Sequence, residues 1–258
     1  MSVQAESLRV ELGEFVLGPL SLEFPTGSVT AIVGANGCGK TTLLRAVCGV
    51  QQLALGHVRV NGCTVHSMHE GKRAARMAMV VQRPTVPFGL SVRETIELGR
   101  LTLPHAPSAI DRALHETGLT ELQHQSVATL SEGQRHRTAF ARALAQRNPE
   151  LHMVTIDEPT ASLDPVWSVA MSALLPTWAA EGVAILVATH DLAFAAACCD
   201  RAVLLDRGAV VESGAIETVL TQEKLSMLFG TRFTTVHGLT AIPVPMPWWP
   251  GRTTMGAK

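Results

Sequence analysis

The sequence predicts an α/β fold: a mostly parallel sheet entered through a glycine-rich loop, an antiparallel β part at the N-terminus, and a helical block inserted mid-chain. Three observations carry this reading. Residues 28–33, Ser-Val-Thr-Ala-Ile-Val, are a short apolar, β-branched run leading directly into Gly34-Ala-Asn-Gly-Cys-Gly-Lys-Thr41, and helix formers follow through 47. From Pro84 to about Asn148 helix formers are broken by proline and glycine, and no convincing strand occurs. Strand-length apolar runs then return at 153–156, 183–188, 202–205 and 209–212, with helices between them. A helical block set inside an α/β chain implies a two-lobed domain around a core sheet.

Residues 8–12 and 20–24 read as strands, with Pro19, Pro25 and Gly27 as punctuation. Residues 56–62, Gly-His-Val-Arg-Val-Asn-Gly, alternate and end in Asn-Gly, a hairpin signal. Arg73 and Arg76 precede another buried run, 77–81, which ends at Gln82. Helices are expected at 92–100, 109–117 and 133–147. The expected organisation is one domain over 1–230, its helical subdomain at about 84–148, and a C-terminal extension at 231–258. That extension carries Pro243, Pro245, Pro247 and Pro250 with Trp248 and Trp249, and reads as irregular chain folded back on the domain. A tryptophan surface for a partner or for lipid headgroups is the rival reading.

The chain of 258 residues, 47% apolar, is long enough to bury a sizeable core. It has no apolar run of the roughly eighteen residues that span a bilayer. The first residues lack the basic start and apolar stretch of an export signal. A net charge of −1 gives no electrostatic reason for a nucleic-acid partner. The cysteines are odd in number, five, and show no C-x-x-C spacing, which suits a reducing compartment. Cys198 and Cys199 read as small apolar packing in an alanine-rich helix rather than a redox pair. Among ten histidines, His66 and His69 are the closest pair, but further ligands are missing nearby.

The chemistry starts at the loop, which fits G-x-x-x-x-G-K-[ST] at every defined position and so predicts a phosphate-loop NTPase core. Backbone N–H groups of Gly34, Asn36, Gly37, Cys38 and Gly39 would form the phosphate nest, at a helix N-terminus that favours an anion. Lys40 brings charge to the β- and γ-phosphates, Thr41 a hydroxyl for Mg²⁺, and Thr42 continues the helix. Cys38, beside a lysine and a helix start, is expected to have a lowered pKa and raised reactivity. Asp157 and Glu158 end an apolar strand, where an open α/β sheet presents groups to a ligand. Asp157 would hold Mg²⁺ through water, and Glu158 is free to orient or deprotonate the attacking water. An acidic pair after a strand also serves as a helix cap.

Leu130-Ser131-Glu132-Gly133-Gln134 opens a helix and resembles the signature sequence of ABC transporter ATPases. Other motifs follow in that family's order: Gln82 resembles the Q-loop glutamine, Ser162-Leu163-Asp164 the D-loop, and His190 the switch histidine. The resemblance covers about residues 5–230 and implies an ATPase using ATP and Mg²⁺. It further implies a second copy paired head to tail, so that Ser131, Gly133, Gln134 and Asp164 close on ATP held by the other subunit. His190 would meet the γ-phosphate, and Gln82 would touch the metal and report occupancy to the partner-binding region. Glu132 stands where the family usually has glycine and is expected to point away from ATP. The family stacks adenine on an N-terminal aromatic; with no tyrosine present, Leu12 or Phe15 falls near that position.

With one cassette and no span, the resemblance implies a separate motor subunit, cytoplasmic and peripheral on the inner face of the membrane. Separate transmembrane permease subunits would dock near residues 82–100. Val92, Glu94, Gly99 and Arg100, with residues 219–230, resemble importers of iron siderophores, haem or cobalamin, and of zinc or manganese. A soluble ABC ATPase of DNA repair, ribosomes or iron–sulfur assembly would carry a coiled coil, a second cassette or a charged nucleic-acid surface, none of which is visible.

Overall fold

The computed structural model describes residues 2–84, 89–160, 165–236 and 244–247. Strands β1 (Ser2–Leu12) and β2 (Phe15–Pro25) are antiparallel and longer than the expected 8–12 and 20–24. Val3, Ala5, Leu8 and Val10 all face inward, but a register shift between Ala5 and Leu8, with Ser7 at φ 47°, moves the inward positions from odd to even numbers. That bulge interrupts the alternation from which a strand is read.

β3 (Val29–Val33) is buried throughout and feeds the glycine loop and α1 (Lys40–Val47). β4 (Leu55–Val60) turns through Asn61 (φ 48°) and Gly62 (φ 74°) into β5 (Cys63–Thr64), the expected hairpin. Next come α2 (Glu70–Arg76), β6 (Met77–Val80), α3 (Val92–Glu97), α4 (Pro107–Glu116) and α5 (Glu132–Ala145). The chain continues with β7 (Met153–Asp157), α6 (Pro165–Ala179), β8 (Ala184–Ala188), α7 (Leu192–Cys198), β9 (Arg201–Asp206) and β10 (Ala209–Ala215). It closes with α8 (Ile216–Val219), α9 (Gln222–Phe229), β11 (Phe233–Val236) and β12 (Val244–Pro247).

The central sheet runs β10-β9-β3-β8-β7-β6, parallel except for β10 at its edge, and the second sheet runs β2-β1-β4-β5, antiparallel. Alternate residues of each central strand supply opposite cores. Ile32, Leu186 and Ala188 join α1 and the antiparallel sheet on one face. Val29, Ala31, Val33, Ile185 and Val187 join α5, α6 and α7 on the other, where Phe140 meets Trp167 and Trp178 edge-on.

Between β6 and β7 the described residues are helical and form no named strand. Capping boxes start α3 (Ser91 with Glu94) and α5 (Ser131 with Gln134). Gly99 lets the chain press on α5, since a Cβ there would lie 2.3 Å from Arg142 O. Arg100 donates to the Ala145 carbonyl at 2.6 Å and to Pro104 O at 2.9 Å, satisfying an end of α5. Gly99 and Arg100 are therefore engaged by the molecule's own helix.

The expected irregular tail is ordered in its described part: β11 and β12 form an antiparallel pair, and β12 packs on α7. Prolines fit there because, among the described residues, β12 pairs with β11 alone, an edge position at which proline is tolerated. Phe233, 4% exposed, anchors the pair against Phe229. Pro243, Trp248, Trp249 and Pro250 lie outside the described residues.

Candidate active site

The loop between β3 and α1 is shaped by close approaches that only glycine permits. A Cβ on Gly34 would sit 2.2 Å from Leu205 O and 2.6 Å from Cys38 Sγ. Gly39, at φ 110°, is the N-cap of α1, with Phe15 against it. The turn between β9 and β10 fastens the loop from outside, Gly208 N donating to Cys38 O at 2.9 Å. No acidic side chain in the first turn of α1 competes with an anion for the positive end of its dipole. Gly34→Ala is expected to cost about 2 kcal/mol or more through this overlap, read as a lowered Tm together with weaker nucleotide binding.

Lys40, buried at 7% exposure, folds back over the loop: its Nζ donates to Gly34 O at 2.8 Å and to Ala35 O at 3.3 Å, and lies 4.0 Å from Glu158 Oε1. Thr41 Oγ1 donates to Asp157 Oδ2 at 2.8 Å. Burial pushes the Asp157 carboxyl above its usual pKa, opposed by the Thr41 hydrogen bond and by the charges of Lys40 and Arg45. Glu158 adopts a left-handed backbone (φ 50°) past the end of β7, its N–H bound to Ala188 O at 2.8 Å. Its Oε2 meets His190 Nδ1 at 2.6 Å, and His190 itself is exposed.

These groups border one cavity of about 280 Å³, lined by Phe15, Asn36, Gly37, Gly39, Lys40, Thr41, Thr42, Gln82, Asp157 and Glu158. A larger cavity of about 450 Å³, beside Leu53, His57 and His66, contains none of them, so the chemistry belongs to the smaller one. Between the candidates for the N-terminal position, Phe15 lines the cavity, while Leu12 is 44% exposed and does not. Gly34 shapes the loop from behind, and His190 reaches the cavity through Glu158.

Ser131, Gly133 and Gln134 stand apart from the cavity at the start of α5. Gln134 is occupied there, its N–H donating to Ser131 Oγ at 3.2 Å and its side chain accepting from Ser131 N at 2.9 Å. Glu132 is exposed in the same turn. Ser162, Leu163 and Asp164 lie outside the described residues.

The expectation for Cys38 is overturned. Its side chain turns into the core with Leu17 and Leu205, 5% exposed, and burial raises its pKa despite Lys40. Only its backbone faces the loop's work. A thiol reagent at neutral pH is expected to label partly exposed Cys63 well before Cys38 and to leave hydrolysis intact, as peptide mass mapping with an activity assay would show. The sequence reading also missed Leu205 and Gly208, which hold the loop from beyond residue 200.

A family model described as ABC transporter matches residues 17–161. The hemin import ATP-binding protein HmuV of Bordetella avium is 34% identical over 89% of this chain and 92% of its own. The ferric enterobactin transport ATP-binding protein FepC of Escherichia coli is 34% identical over 89% of this chain and 88% of its own. Among solved structures, an inward-facing transporter described as metal-chelate type superposes with a TM-score of 0.79 at 25% identity, covering 96% of this chain and 97% of that one.

Proposed function

The chain belongs to the ABC transporter family as one of its ATP-binding, ATP-hydrolysing subunits, and from that premise we propose that it drives import of an iron or other metal chelate through separate membrane subunits. The observation that carries the motor reading is the convergence of Lys40, Thr41, Asp157 and Glu158 on one cavity, with His190 bonded to Glu158. The cargo reading rests on relatives named for hemin and ferric enterobactin import. Disrupting the gene and measuring uptake of haem, ferric siderophores and cobalamin tests it; unchanged uptake of all three would refute it.

On this reading Lys40 exchanges the Gly34 and Ala35 carbonyls for the β- and γ-phosphates of ATP, while the loop N–H groups and α1 receive the same anion. Thr41, Asp157 and Gln82 supply the oxygen donors that a hard cation prefers, and they share one rim of the cavity, so they suit Mg²⁺. The ion would neutralise charge on the transferring phosphoryl group. Glu158 accepts a proton from the attacking water, and His190 holds Glu158 in position and faces the γ-phosphate. Phe15 takes the adenine; Phe15→Ala is expected to raise the KM for ATP about tenfold with little change in kcat.

A second copy completes the site. Ser131 caps, and Gly133 lies in the first turn of, a fourteen-residue helix whose exposed N-terminus suits the γ-phosphate held by the partner, and Asp164 belongs to the same contact. The helical subdomain at about 84–148 then presents the signature from an ATPase domain of residues 1–230, with 231–258 as an extension, and permease subunits dock near 82–100. Such a subunit sits on the cytoplasmic face of the membrane. Among the described residues no helix is long and apolar enough to cross it.

A further inference from the structure

Gly208 closes the turn between β9 and β10, and both of its backbone polar groups reach beyond that hairpin. Its N–H donates to Cys38 O in the phosphate loop at 2.9 Å, and its carbonyl accepts from Gly18 N in β2 at 2.7 Å. The residue is buried at φ 80°, and a Cβ on it would lie 2.0 Å from Val16 O and 3.0 Å from the Val16 carbonyl carbon. β2 and the loop belong to different layers: β2 is an edge of the antiparallel sheet, whereas the loop leaves β3 in the central one. Among the described residues no backbone hydrogen bond joins the two directly, so Gly208 bridges them. Phe15, which lines the cavity, starts the strand on which Gly18 lies, and Lys40 follows closely on Cys38.

We propose that Gly208 is a positioning residue for the nucleotide, a spacer that fixes the distance between Phe15 and the phosphate nest and so favours a whole nucleotide over its phosphates alone. The inference rests on the role given above to Phe15 as the adenine contact. A nucleotide is a ligand with two ends, and binding of the second gains from the first only when the protein holds its two receptors at the span of the ligand. Hydrogen bonds keep donor and acceptor within a narrow range of distances. Two of them in series through one residue therefore set the separation of β2 from the loop, whereas the apolar contact of Phe15 with Gly39 alone would let the strand slide. Glycine is required at 208 because any side chain would drive against Val16 and push the strand that carries Phe15 away from the loop.

The test compares Mg-ADP with Mg-pyrophosphate, the same two phosphates without the nucleoside, by calorimetric titration of the full chain. Gly208→Ala should weaken ADP about tenfold, the effect expected of losing Phe15, and leave pyrophosphate as in the parent. In a chain already carrying Phe15→Ala, Gly208→Ala should weaken ADP no further, because the two changes remove one interaction. A merely distorted phosphate loop would instead weaken both ligands, in either background. That result would overturn the inference, as would an unchanged affinity for ADP. Should Gly208→Ala not fold, a glycine inserted between Arg207 and Gly208 replaces it: Arg207 is exposed, no side chain is added, and the spacer is lengthened. ADP and pyrophosphate changing together in that variant, or neither changing, would refute the link. If Phe15→Ala alone leaves ADP affinity unchanged, the adenine reading falls and this inference with it. A chain sensitive to Phe15→Ala and indifferent to Gly208→Ala would overturn this inference alone.

Discussion

Glu158→Gln is expected to lower ATP hydrolysis about a thousandfold, in the range that removal of a general base produces. Glutamine keeps the length of the side chain and its contact with His190, so the cavity retains its shape and ATP still binds. What disappears is the proton acceptor, together with a buried negative charge 4.0 Å from Lys40. With that charge gone Lys40 is freer to serve the nucleotide, and ATP should accumulate between subunits as a stable dimer. Single-turnover hydrolysis and light scattering with Mg-ATP check both halves. Hydrolysis at the wild-type rate would remove Glu158 from its role.

Lys40→Ala attacks binding rather than chemistry. Charge-assisted hydrogen bonds are the strong ones, and loss of a cation serving two phosphates should weaken ATP about a hundredfold or more. The variant also leaves the Gly34 and Ala35 carbonyls without their donor and Glu158 with His190 as its remaining close partner, so a lower Tm should accompany the loss. Calorimetric titration with ATP measures the first effect and thermal melting the second. Unchanged affinity would count against the phosphate-loop assignment.

Where the sequence succeeded and failed has physical reasons. β3, β7 and β8 are legible because strands buried on both faces become unbroken apolar runs. Parallel neighbours in register, Asp157 opposite Ala188, then bring Glu158 beside His190, as their places after two strands suggest. β1 is half hidden because the shift at Ser7 breaks its alternation. Leu12 and Phe15 are partners across a turn, and local pattern treats them alike; the choice is made by Gly39, against which Phe15 lies and Leu12 does not. Cys38 misled because the sequence displays its charged neighbour and not its burial, and burial is the larger influence.

The fastening of the phosphate loop by Leu205 and Gly208 has a consequence for the order of assembly. Residues 34–41 leave the ribosome long before β9, the strand that seats them, and Val29 at the foot of β3 waits for Asp200, 171 positions later in the chain. Closing so long a loop is entropically costly and comes late in folding. The nascent chain thus carries its complete nucleotide motif while lacking the shape to use it, and competence for ATP arrives with β9 and the turn that follows.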